Sequence, residues 1–91
     1  MDDIFEKYKG SVLVTKSPHG TTTVFNYNVN NQRVNEFLRA FDIWGSVGQF
    51  VSCGEESYIA FECPKKFLSF AKTEMAQVAF DRMGSKLVVE E

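Results

Sequence analysis

The chain has 91 residues, 44% hydrophobic and 24% charged, with 12 acidic against 10 basic side chains, which allows one domain over residues 1–91 and excludes two. A net charge of -2 gives no general attraction to phosphate backbones or anionic lipid, so binding of either kind has to come from a local surface. No apolar run approaches the roughly 20 residues of a bilayer span, and MDDIFEKYKG lacks the basic-then-apolar order of a signal peptide, so a cytoplasmic protein without membrane contact is expected.

In chain order, Asp2 to Tyr8 reads as one or two helical turns with acidic residues at the favoured end, stopped by Gly10. SVLVTK is β-branched and apolar, Ser17-Pro18-His19-Gly20 is turn chemistry, and TTTVFNYNV is β-rich again, which together predict a hairpin. Val34, Phe37, Leu38 and Phe41 then recur at helical spacing. Asn30 or Asn31 can cap this helix and Gly45 can end it. VGQFVSC and SYIAFEC flank Gly54-Glu55-Glu56 as a second hairpin, in which Ser57, Ile59, Phe61 and Cys63 share the face expected in the core. Cys53 and Cys63 thus fall in strands, where they suit small buried residues of an intracellular protein. Pro64 suits the start of a second helix running through Phe67, Phe70, Ala71, Met75, Val78 and Ala79 to Gly84. SKLVVEE closes the chain as an edge strand whose charges discourage pairing with other chains.

Without the first strand this order is β-α-β-β-α-β, the split arrangement of ferredoxin-like domains. The expected fold is therefore α+β: one antiparallel sheet of five strands with two helices on one face. The extra N-terminal strand should lie beside the next strand, where it extends the sheet, covers its edge or mediates self-association.

Within residues 23–90, Val24-Phe25-Asn26-Tyr27-Asn28-Val29 is a run of aliphatic, aromatic and Asn residues, and Phe37 to Val47 reads as a phenylalanine-rich helix end followed by Gly and a β residue. These segments resemble the RNA recognition motif family, the first departing from the family's first-strand motif only at Asn26. Tyr58-Ile59-Ala60-Phe61 matches the end of the longer motif, with Ser57 in place of its Gly or Ala. Gly54, Glu55 and Glu56 stand where the family has a basic residue, a Gly and an aromatic, so one stacking ring and one phosphate-binding cation are missing. The resemblance implies single-stranded RNA bound by stacking on Phe25 and Tyr58, with Asn26, Asn28, Gln49 and Ser52 as nearby donors and acceptors. Lys16 and Lys86 are the candidate phosphate contacts.

The register of the first motif has two readings. Alternation sets Phe25, Tyr27 and Val29 against Val24, Asn26 and Asn28; the hydrophobic rule buries the aromatic set, whereas the family register buries Asn26.

Catalysis is not expected. The single histidine, His19, lies in a turn, and no cue pairs it with Cys53, Cys63 or a serine. Asp2, Asp3 and Glu6 fit a helix start better than a cation site, and two cysteines cannot supply the four ligands of structural zinc. No phosphate cradle or nucleophile elbow is present, and no cofactor is expected. RNA binding is the preferred function. The alternative is a protein-interaction module, an adaptor or an inhibitor of a nucleic-acid-binding partner, with Trp44, Glu55 and Glu56 at its interface. The position of Phe25 is the cheapest discriminator between the two.

Overall fold

The computed structural model describes residues 3–43 and 49–91; Trp44 and Gly45 lie outside them. Its elements are α1 (Asp3–Tyr8), β1 (Ser11–Lys16), β2 (Thr22–Asn26), α2 (Gln32–Arg39), β3 (Gln49–Cys53), β4 (Glu56–Cys63), α3 (Lys66–Ala71), α4 (Glu74–Arg82) and β5 (Lys86–Glu90). The class is α+β. The five strands form one sheet in the order β3-β4-β2-β1-β5.

The N-terminal strand pairs with the next strand as expected, but the order corrects the expectation of a purely antiparallel sheet with that strand at its edge. β1 pairs antiparallel with β2 and parallel with β5, so it lies inside the sheet and offers no edge for self-association. Its own residues explain the placement. Val12 and Val14 are fully buried on the helix side, and Leu13 is 8% exposed on the other, so the run VLV suits a strand covered on both faces. β5, which carries Lys86 and Glu90, takes one edge.

α2, α3 and α4 cover one face. There Val12, Val14, Val24, Ile59, Phe61, Cys63 and Leu87 pack against Val34, Leu38, Phe67, Ala71, Ala76 and Phe80. Asn31 caps α2 by accepting from the Val34 N–H at 3.2 Å. The long second helix expected after Pro64 is two helices. Thr73 ends the first by donating to the Phe70 carbonyl and caps the next by accepting from the Ala76 N–H. The break resets the register: Ala76 and Phe80 are buried, while Met75 and Val78, which share the apolar helical spacing of Phe67 and Ala71, are 75% and 42% exposed.

α1 lies on the opposite face, so the expectation of one helical layer holds only for the helices after β1. Gly10, at φ +77, turns the chain from α1 into β1.

Candidate nucleic-acid or protein interface

Strand register assembles the outer face in rows. Gln49, Ala60, Phe25, Leu13 and Val88 lie side by side across the sheet. One row further along, Val51 opposes Tyr58, and the Tyr58 ring touches that of Tyr27. In the other direction Glu62, Thr23, Thr15 and Glu90 form a third row. The face thus has an aromatic centre with a carboxylate on each side of one border.

Phe25 and Tyr58 both lie on this face, half-buried, with ring centroids 5.4 Å apart in a T-shaped pair. The register that buries Asn26 is the one adopted. Its cost is removed by partners: the Asn26 amide donates to Asn35 Oδ1, its own Oδ1 accepts from the Asn28 N–H at 2.9 Å, and Asn35 Nδ2 donates to the Val29 carbonyl at 2.9 Å.

The face is not open. Phe5 of α1 sits 5.8 Å from both Tyr27 and Tyr58, and Tyr8 stacks on Tyr27 at 5.8 Å. The Tyr8 hydroxyl donates to Glu90, and Lys7 reaches the same carboxylate at 3.5 Å. The Tyr8 hydrogen bond, with Lys7 adding to it, holds the Glu90 carboxyl below its ordinary range, and the same bond to Glu90 pushes the Tyr8 hydroxyl up. Burial pushes the Tyr27 hydroxyl up. Beside α1 a cleft of about 540 Å³ opens between Ile4, Lys7 and Tyr8 on one side and Leu13, Phe25, Tyr58 and Glu90 on the other.

Of the polar residues expected around the rings, Gln49 is exposed in the Phe25 row and Lys86 is exposed at the β5 edge of the same face. Four are elsewhere. Asn26 is fully buried beneath the helices, where no base can reach it. Asn28 donates to Ser85 Oγ at 2.9 Å and to the Gly84 carbonyl, tying the end of β2 to the turn before β5. Ser52 opposes Ser57 and alternates to the helix side, and Lys16, opposite buried Thr22, does the same and lines a cleft with Lys65 and Ser69. Even spacing from Val12 and Val14 puts Lys16 there.

Glu55, in the β3–β4 turn, and Glu56, the first residue of β4, border a shallow cleft with Lys9, Tyr27 and Asn28. The alternative interface residue Trp44 lies outside the described residues.

Sequence reasoning missed Phe5, Tyr8, Leu13 and Glu90 as members of this surface. The Phe5 and Tyr8 pair, three apart on a helical turn, was the available signal. Leu13 was legible only once β1 was known to be covered on both sides.

Elsewhere, burial, with Asp42 and Glu62 nearby, pushes the Cys63 thiol up to about 12, which makes it a poor nucleophile. Among the described residues no three His, Cys, Asp or Glu side chains gather to hold a metal, and no helix is long and apolar enough to cross a membrane. Comparisons with family models, curated proteins and solved structures gave no match, so the resemblance to the RNA recognition motif rests on the residues quoted above.

Proposed function

We propose that this chain is a non-catalytic binding module whose outer sheet face recognises a protein partner. The observation that carries this reading is the charge around the rings. Glu62 and Glu90 stand on the face, Lys7 is engaged by Glu90, Lys16 lies on the other side of the sheet, and of the two candidate phosphate contacts only Lys86, at the β5 edge, shares the face with the rings. Single-strand binding combines stacking rings with a cationic groove, and this face supplies the rings without the groove. An apolar, ring-rich centre with a polar rim is the composition of a protein interface.

The second reading is the stacking of unpaired RNA bases, favoured by the outward position of the Phe25 and Tyr58 pair that the family resemblance requires. We also infer that β1 is inserted into a ferredoxin-like frame, since the order without it would be β3-β4-β2-β5. The cytoplasm is the proposed compartment, supported by the free, buried thiol of Cys63.

Two arms decide between the readings. Fluorescence anisotropy with a pool of short single-stranded RNAs at low salt should show no binding at about 100 μM protein. Nuclease-treated extract passed over the immobilised protein should yield a partner that Phe25→Ala and Tyr58→Ala fail to retain. RNA binding weakened by about 1–3 kcal/mol in the same two variants would reverse the order of the readings.

A further inference from the structure

The outer face already has an occupant, and its chemistry indicates what the face accepts. α1 is only six residues long, well below the length at which a helix is stable without tertiary contacts. Its hold on the sheet rests on Phe5 against Tyr27 and Tyr58, Tyr8 on Tyr27, and the Lys7 and Tyr8 groups on Glu90. Ile4 is 57% exposed and adds little. The link to β1 passes through Gly10 at φ +77, a backbone conformation that L side chains rarely adopt, so no side chain at the turn helps to hold α1 in place.

We propose that the outer face takes a short helical segment of a partner protein with the pattern aromatic, any residue, lysine, aromatic, and that α1 is the chain's own displaceable occupant of that place. This rests on the protein-partner reading and specifies its chemistry. The first aromatic ring packs against both Tyr27 and Tyr58, where Phe5 now lies. The lysine ammonium and the second ring, best a tyrosine, meet Glu90, the carboxylate that now holds Lys7 and Tyr8. Charge complementarity selects the segment: a partner with an acidic residue at the lysine position would face Glu90 unpaired. Because α1 must leave first, apparent affinity is lowered by the fraction of molecules in which it is displaced.

The test uses the full chain and a synthetic peptide copying residues 2–9, titrated to about 1 mM, the weak-affinity range, with amide and tyrosine-ring NMR shifts as readout. Wild-type protein should respond weakly. Phe5→Ala protein, whose own α1 is a poor competitor, should bind the peptide about tenfold more tightly, as expected when a competing conformation is depopulated. The shifts should concentrate on Tyr27 and Tyr58, and a peptide with Ala in place of the phenylalanine should produce none. If Phe5→Ala loses the dispersed sheet spectrum, the pair Tyr8→Phe and Lys7→Ala in one chain weakens α1 while keeping its ring on Tyr27.

Equal peptide binding by wild-type and α1-weakened chains, or binding that leaves Tyr27 and Tyr58 unmoved, overturns the proposal. No binding by the folded, α1-weakened chain also overturns it. That failure leaves the capture experiment with Phe25→Ala to judge separately whether the face binds a protein of other chemistry.

Discussion

The two faces of this sheet are made by the same strands and differ in how each is closed. On the helix side, valines, Leu87, Ile59 and Phe61 meet three helices and are almost wholly withdrawn from water. On the other side, Phe25, Tyr27 and Tyr58 meet one six-residue helix and stay half-buried. On the first face the buried Asn26 and Asn35 side chains satisfy one another, and the hydroxyl of buried Thr22 donates to the Lys65 carbonyl at 3.1 Å. The second is built largely from tyrosines, which bury a ring while keeping a hydroxyl at the rim. A closed face contributes stability, and a partly closed aromatic face leaves surface for recognition.

The contrast predicts a ranking of stability losses. Phe61→Ala should cost about 3–5 kcal/mol by chemical denaturation, as for emptying an aromatic core site. Phe25→Ala, removing a half-buried ring from the other face, should cost about 1–2 kcal/mol, in line with the smaller apolar area it withdraws from water. Equal losses would mean that the outer face is as much a core as the inner one.

Asn26→Ala comes next, at about 1–3 kcal/mol, because it leaves Asn35 Oδ1 and the Asn28 N–H without their partner. Denaturation of Asn26→Ala alongside Asn28→Ala separates a buried network from a surface tie, and the surface tie should matter less. If Asn26 were instead poised for a ligand, its removal would leave stability unchanged.

How much of this was legible in the sequence follows from which signals are local. Helical spacing located Val34 and Leu38, and alternation located Ile59, Phe61 and Cys63, because each pattern reports one element against one core. β1 was misplaced because pairing partners far apart in sequence leave no periodic trace; only VLV, apolar on successive residues, hinted at cover on both faces. Asn26 defied the hydrophobic rule because its partner, Asn35, belongs to another element. Of the candidate site, Tyr58 was legible from alternation, and the outward Phe25 only from the motif, since the hydrophobic rule would have buried it; α1 over the rings was not legible, since a short helix carries too few residues to show which face it covers.

Thr73 supplies a sharper test of register. A single continuous helix would bury Met75 and Val78; the capped restart exposes both. Met75→Gln should therefore change stability by no more than about 0.5 kcal/mol, the usual range for a surface site. Thr73→Ala should cost about 1 kcal/mol through the lost cap. A large loss at Met75, measured by thermal or chemical unfolding, would mean that this ridge is covered in solution.

The smallest effect concerns the attachment of α1 and its dependence on pH. Glu90 has its carboxyl pKa lowered by the Tyr8 hydrogen bond and by Lys7, so its contribution is complete above the ordinary value of 4.5 and is lost as pH falls through the lower, folded value. Tyr8 has a raised pKa, so its contribution is complete below the ordinary 10.0 and is lost as pH rises through the higher, folded value. Between these limits α1 should be held most firmly. As pH falls through the lowered Glu90 value, the ring resonances of Phe5 and Tyr8 should move toward free-peptide positions while the amides of β1, β2 and β4 keep their shifts, because the inner core has no part in this titration. Glu90→Gln should remove the acid limb and weaken the alkaline one, because the bond to the Glu90 carboxylate is the main cause of the raised Tyr8 pKa. Acid loosening of α1 that persists in Glu90→Gln would show that the carboxylate is not the group that holds the helix to the sheet.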